Sequence, residues 1–233
     1  MLDHPIFSES IRRIRLLLAE QAEADPRLAE LLAGLTPLER DVLERCIHSS
    51  GDGTIAPDLR FSPAACRMGA AVLAAGAPIL TDTAMAAAAV APMARRTFGN
   101  RVACVLDWAP AAAPEGSTRT AAGMAAALRE LGPAAGVVVL IGSAPTALEV
   151  LLDQVDSMAA TDVSGGTTAL RPALVIGMPV GFVGVAESKR HLAASGLAHI
   201  GLEGSKGGAG LVAAACNALL RAAWLQAASA PPA

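Results

Sequence analysis

The stretch VVVLIGSAPTAL, Val137–Leu148, passes from an unbroken apolar run through a turn into a helix-forming segment. Val137 to Ile141 carries no polar alternation, which is what a strand covered on both faces requires. The turn Gly142-Ser143-Ala144-Pro145-Thr146 then leads into Thr146 to Met158, which reads as a helix. The same unit recurs on either side. Apolar runs at Pro78 to Thr81, Val102 to Leu106, Ala173 to Ile176 and Ala198 to Leu202 alternate with helical stretches at Thr83 to Val90, Thr118 to Leu131, Ser188 to Ala194 and Gly207 to Gln226. Strand and helix in alternation predict a three-layer α/β/α sandwich around a mainly parallel sheet of about five strands. At 233 residues one domain is the default, here residues 1–228, with a flexible tail at 229–233.

Upstream of this pattern the chain reads as helices. Ile11, Ile14, Leu17 and Leu18 recur at helical spacing between Phe7 and Glu20, with Ser8 or Ser10 as the cap. A short helix follows Asp25-Pro26, and Thr36-Pro37-Leu38-Glu39 combines an N-cap, a first-turn proline and a capping-box glutamate for a helix to about Ile47. Gly51, Gly53 and Pro57 force a loop, Ser62-Pro63 starts the next helix, and Gly76 ends it. Asp162–Leu170, rich in glycine and threonine, reads as an exposed loop.

Composition excludes several function classes. Alanine supplies 53 residues, so a mean hydropathy of +0.48 reflects a small helix-favouring side chain more than lipid-facing surface. The most apolar window, Gly69 to Met93, is broken by Pro78, Asp82 and Pro92, whereas a bilayer span needs about 20 mostly apolar residues. Gly207 to Leu225 carries Asn217 and Arg221 and reads as a buried core helix. No membrane partner is expected. A net charge of −3 and an aromatic content of 3% with no tyrosine offer neither a basic field nor stacking platforms, so no nucleic-acid partner is expected either. Cys46, Cys66, Cys104 and Cys216 are far apart in apolar contexts and read as reduced packing residues, a cytoplasmic pattern. The N-terminus shows no basic region followed by an apolar run, so no secretory signal is expected.

In an open parallel sheet ligands collect beyond the carboxyl ends of the strands. Those ends carry Thr81-Asp82, Gly142-Ser143, the run GMPVGFVGVAESK from Gly177 to Lys189, and EGSKGGAG from Glu203 to Gly210. Glycines there either bring backbone amides to a ligand or only make tight turns. Gly204-Ser205-Lys206 lacks P-loop spacing, Gly177, Gly181 and Gly184 do not follow the dinucleotide fingerprint, and neither G-x-S-x-G nor H-E-x-x-H occurs. Among the histidines, His48 falls at the C-terminal end of its helix with Asp52 close behind. A helix C-terminus stabilises imidazolium by up to about 2 kcal/mol, and Asp52 pushes the same way, so the position suits either a proton donor or a simple helix cap. His4, His191 and His199 have no partner at metal-ligand spacing and read as surface or packing residues, so no metal site is expected.

Four segments carry a resemblance. GMPVGFVGVAESK, GAPILTDTAM (Gly76–Met85), IGSAPTAL (Ile141–Leu148) and IHSSGD (Ile47–Asp52) resemble precorrin-8X methylmutases of the cobalamin pathway, and the likeness extends from Ser8-Glu9-Ser10 to the last helix. The resemblance implies a flavodoxin-like sandwich, a homodimer with its pocket near the interface, and an isomerase that moves a methyl group from C11 to C12 of precorrin-8X or its cobalt form. The product is hydrogenobyrinate or cobyrinate. A 1,5-sigmatropic shift needs one acid and a site that holds the macrocycle in its reactive shape, so no cofactor is expected. By resemblance the acid is His48, while Ser10 and Arg119 face the substrate. Its carboxylates also need local donors, for which Arg119, Lys189, Lys206 and the glycine-loop amides, Gly181, Gly207 and Gly208 among them, are the candidates; Asp82 and Ser143 at the strand ends complete the expected substrate-binding set. The chain departs from the family at the last-strand turn, where LEGSKGGAG replaces a pattern like RGRKGGS. Both arginines are missing and Glu203 opposes a carboxylate. That departure motivates a second reading, a noncatalytic corrinoid-binding paralogue, and a nucleotide-binding flavodoxin-like protein is a third.

Overall fold

The computed structural model describes residues 4–131, 136–161 and 171–229; the expected loop at Asp162–Leu170 and the tail residues 230–233 lie outside them. Three helices come first, α1 (Pro5–Ala24), α2 (Pro26–Gly34) and α3 (Pro37–Ser50), each with a first-turn proline that cannot miss a backbone bond there. Thr36 and Glu39 close the expected capping box. The expected cap at Ser8 or Ser10 is corrected: His4 Nδ1 accepts from the Ile6 amide at 3.2 Å, so α1 starts earlier and both serines lie inside it.

The alternating part follows as β1 (Leu59–Phe61), α4 (Ala65–Ala74), β2 (Ile79–Thr81), α5 (Ala84–Arg96), β3 (Val102–Cys104), α6 (Arg119–Leu131), β4 (Val138–Ile141), α7 (Pro145–Thr161), β5 (Leu174–Gly177), α8 (Val185–Ala194), β6 (His199–Leu202) and α9 (Ala209–Ser229). The sheet order is β1-β6-β5-β4-β2-β3, with β1 antiparallel to β6 and every other pair parallel. Counted among themselves, the parallel strands follow the doubly wound order 2-1-3-4-5, whose switch point lies between β2 and β4.

Six strands replace the expected five. β1 escapes a pattern reading because Leu-Arg-Phe is too short to show a period. Ser62, expected to start a helix, instead extends the pairing: its amide donates to the His199 carbonyl at 2.9 Å and its hydroxyl accepts from the His199 amide at 2.8 Å. α4 therefore waits until Ala65. β3 is shorter than expected because the chain tightens into a 3-10 turn at Val105–Trp108.

Strand alternation sorts the core into two layers. Ile79, Val138, Leu140, Ile176 and Ile200 pack against α3, α4, α5 and α9, while Leu80, Val139, Ile141 and Val175 face α6, α7 and α8. α9 has the length and composition to cross a bilayer, but it is buried against α3, α4 and α5, as expected of a core helix. All four cysteines are buried and free, and burial pushes the Cys46 and Cys216 thiols up to about 12.

His191, read as a surface or packing residue, is an ion-pairing one. Its Nδ1 lies 2.7 Å from Glu149 Oε2 and its Nε2 3.1 Å from Asp156 Oδ2, so it clasps α8 to α7. The bonds to Glu149 and then Asp156 raise its pKa above 6.5. The raised value means that the clasp stabilises the fold fully below the unfolded pKa and loses that contribution as pH rises through the folded one. The pair is partly exposed, so the expected effect is only about 0.5–1 kcal/mol. Thermal melts of wild type and His191→Gln should differ most at pH 5.5 and converge by pH 9; a constant difference would contradict this.

Candidate active site

His48 sits in the last turn of α3, which Gly51 closes in the left-handed conformation. Its Nδ1 lies 2.7 Å from the Ser10 hydroxyl of α1. In the acid form both ring nitrogens carry hydrogen, so Nδ1 donates to the Ser10 hydroxyl and the Nε2 hydrogen has no partner among the described residues. Phe7, one turn before Ser10, meets the imidazole edge-on at a centroid distance of 5.1 Å. Arg45, one turn before His48, lies 4.5 Å from the Phe7 ring centre. Phe7 and Arg45 were not singled out in the sequence, although their three-residue spacing from Ser10 and His48 was a usable signal.

The expected elevation of the His48 pKa is corrected. Partial burial, then the charge of Arg45, lower it below 6.5. Asp52 cannot oppose them because it is spent elsewhere, accepting from Lys206 Nζ at 2.7 Å and from the Thr54 amide at 2.9 Å. Those bonds hold its carboxyl down at about 2.

The α3 terminus is thereby tied to the turn after β6. Lys206 reaches Asp52, and the Ser49 hydroxyl donates to the Gly210 carbonyl at 3.4 Å. A Cβ on Gly207 would fall 2.0 Å from the Met178 carbonyl oxygen, so the turn needs glycine to lie on the β5 loop. The reading of Gly181 and Gly208 as ligand-binding amides is corrected: the Gly181 amide donates to the Ser205 carbonyl at 3.0 Å and the Gly208 amide to the Met178 carbonyl at 2.9 Å. Lys189 is held by this loop as well. Its ammonium is buried on the carbonyls of Gly204 and Lys206, each at 2.7 Å, and burial lowers its pKa to about 8. Glu203, the opposing charge in this turn, is bound in a fork by Arg60 at 2.9 and 2.7 Å.

Asp82 and Ser143 meet at the switch point, but not as a ligand pair. Asp82 is fully buried, and its Oδ2 accepts from the amides of Gly142, Ser143 and Ala144 at 3.0, 2.6 and 2.9 Å. The nest in which an open α/β sheet would seat an anion is filled by the chain's own carboxylate. Arg119 starts α6 on the opposite layer from His48 and donates to the Pro110 carbonyl at 2.9 Å. The Thr118 and Thr146 hydroxyls, 2.8 Å apart, place its end of α6 at the C-terminal edge of β4. Arg119 and His48 thus flank the same edge from opposite faces without touching.

Beside Phe7 opens a cleft of about 350 Å³ in which basic and acidic side chains are matched: Arg12 is forked on Glu9, Arg15 is forked on Glu44, and Arg221 lies 3.9 Å from Asp41, with Arg45 against the Phe7 ring. Among the described residues, Glu149, Asp153 and His191 are grouped closely enough to hold a cation, with ligand atoms within 4.8 Å of one another. They lie on α7 and α8, and the carboxylates of Glu149 and Asp156 already engage both ring nitrogens.

Residues 5–222 match the family model described as precorrin-8X methylmutase. The chain belongs to the precorrin-8X methylmutase family. A precorrin-8X methylmutase of Pseudomonas aeruginosa is 43% identical over 204 residues, covering 85% of this chain and 91% of the relative. A cobalt-precorrin-8 methylmutase of Synechocystis is 33% identical, covering 96% of this chain and 97% of the relative. The crystal structure of the Thermus thermophilus precorrin-8X methylmutase superposes with a TM-score of 0.74 at 38% identity, over 94% of this chain and 98% of that one. The family match spans both layers, so the added β1 strand and the α3 terminus with His48 both lie within it.

Proposed function

We propose that this chain is the isomerase that moves a methyl group from C11 to C12 of precorrin-8X, or of cobalt-precorrin-8, by an acid-assisted 1,5-sigmatropic shift. The observation that carries the reading is the Ser10–His48 pair, held at 2.7 Å at an open helix end of a chain matched by the family over residues 5–222. His48 supplies the proton that polarises the conjugated ring, and Ser10 fixes the imidazole's orientation. Lys206, tied to Asp52, sets the distance between the α3 end and the β6 turn. Arg45, against the Phe7 ring, and Arg119, across the edge, receive carboxylates of the ring. The reading includes a homodimer with the pocket near its interface, supported by Phe182 and Val183, which stand 95% and 87% exposed on the β5–α8 loop beside the site. It also includes a cytoplasmic setting, supported by four free cysteines.

Two observations weigh against the other readings. The Arg60–Glu203 pair neutralises the charge that motivated a noncatalytic paralogue. The Asp82 carboxylate fills the nest that a nucleotide phosphate would need. The deciding experiment offers purified protein precorrin-8X and cobalt-precorrin-8 side by side and follows the visible spectrum. Conversion of either supports the isomerase, and tight binding of both without conversion sinks it. In the same assay Arg119→Ala is expected to weaken ring binding about tenfold, the loss of one partly exposed charged contact; an unaltered dissociation constant would remove Arg119 from the site.

A further inference from the structure

The sheet face turned toward α8 loses its side chains near the β1 edge. Gly177 of β5 and Gly201 of β6 are register partners, and Arg60 of β1 lies opposite Gly201. The alternate residues Ile200 and Leu202 face the other core layer. With hydrogen in place of side chains on the strands, a cavity of about 290 Å³ remains beneath α8, walled by Ala186, Leu192 and Ala193. Its apolar walls alone would not single it out.

Two basic side chains line it from within the core. Lys189 and His199 are only 8% and 9% exposed. His199 Nδ1 is bonded to the Leu197 carbonyl at 2.9 Å, which leaves Nε2 without a partner among the described residues. Lys189 donates to two carbonyls and forms no ion pair among the described residues; Asp58 acts on its charge without touching it, and its third ammonium hydrogen has no partner among the described residues. A buried cation with no carboxylate in contact is costly, and an anion entering the cavity would offset part of that cost. Arg60 and Arg190 also line the cavity, but Arg60 is forked on Glu203, itself a lining residue, and Arg190 lies 3.3 Å from Glu187, so recognition of an anion rests on Lys189 and His199.

We propose that this cavity binds a small amphipathic monocarboxylate, with its apolar body against Ala186, Leu192 and Ala193 and its carboxylate on Lys189 and His199. Mostly apolar walls disfavour a bare phosphate, which would have to shed its hydration against leucine and alanine. The volume lies at the small end of ligand pockets and suits one ring with a short acid chain. The site is independent of the reaction assigned to His48.

The probe is 4-phenylbutyrate, titrated calorimetrically into the full chain, with 4-phenylbutanol as its neutral counterpart. The acid is expected to bind at least about tenfold more tightly than the alcohol, a difference of about 1.4 kcal/mol. Gly201→Val fills the cavity, since a Cβ there meets only the Gly177 carbonyl, at 3.6 Å. It is expected to weaken binding at least about tenfold with the circular dichroism spectrum unchanged. In the wild-type protein, amide resonances of Gly177, Leu192 and Gly201 should shift during the titration, a readout that does not depend on any variant folding. Absence of binding at millimolar acid, equal binding of acid and alcohol, undiminished binding by a folded Gly201→Val, or no shifts at those three residues would each overturn the proposal. Displacement of the acid by inorganic phosphate at equal concentration would reduce the cavity to a bare anion site and overturn it too.

Discussion

Replacing His48 with alanine is expected to lower kcat by about 10²–10⁴-fold, the range for loss of a general acid, while the dissociation constant for the corrinoid changes little. The asymmetry follows from where the proton matters. Many contacts along the crevice hold the macrocycle in both ground and transition states, whereas the proton from His48 gains value only as the ring is polarised. Ser10→Ala keeps the imidazole but releases Nδ1 from its 2.7 Å contact, so a smaller loss of about tenfold is expected. Spectral titration and single-turnover conversion separate the two quantities. Unchanged turnover in His48→Ala would remove His48 from the mechanism.

The pH profile adds a second readout. Burial and Arg45 hold His48 below 6.5, and the acid form is the one that reacts, so kcat/KM should be level at low pH and fall through a midpoint below 6.5. Once the ring is bound, its carboxylates offset the Arg45 charge beside Phe7, and the falling limb of kcat should move to higher pH. Coincident limbs for kcat and kcat/KM would contradict that electrostatic link. Arg45→Met should raise the kcat/KM midpoint by removing the second of the two causes.

The sequence exposed the architecture where residue patterns are local. Unbroken apolar runs named five strands because a strand covered on both faces has no polar residue to interrupt it, and Thr36-Pro37-Leu38-Glu39 named a helix start because every capping contact lies within one turn. β1 stayed hidden because three residues show no period, and its stability comes from pairing with β6, distant in the chain. At the site, the family resemblance pointed to Ser10 and His48, and the fold brings them together. Lys189, Gly181 and Gly208 have surroundings that the sequence did not show, for one shared reason. A donor beside a glycine turn looks identical in sequence whether it faces a ligand or binds its own loop, and only long-range contacts show that the two amides are taken up by the chain and that Lys189 is buried on two of its carbonyls. The pKa of His48 was misread because Asp52, close in sequence, is held by Lys206, while Arg45 lies one turn back on the same helix.

Asp82 offers the second large effect, and on stability instead of chemistry. Its Oδ2 gathers three amides from the turn between β4 and α7, and its other oxygen is buried with no partner among the described residues. Asp82→Ala would leave those amides unpaired in a water-poor site. Each bond to a charged acceptor is worth about 1.5–3 kcal/mol, but the three share one oxygen and do not add, so a loss of about 3–5 kcal/mol is expected. For a chain of this length that lowers Tm by about 10 °C. Asp82→Asn keeps an acceptor for the amides but places its NH₂ where the partnerless oxygen was, and should fall between the two. The decisive arm is rescue: the variant's empty nest is an anion site of the kind helix N-termini and adjacent amides create. Formate should therefore raise the Tm of Asp82→Ala by several degrees and leave wild type unmoved, because in wild type a tethered carboxylate already holds the nest at an effective concentration no free anion matches. Equal melting of Asp82→Ala and wild type, or formate stabilising both alike, would show that the carboxylate does not hold this turn.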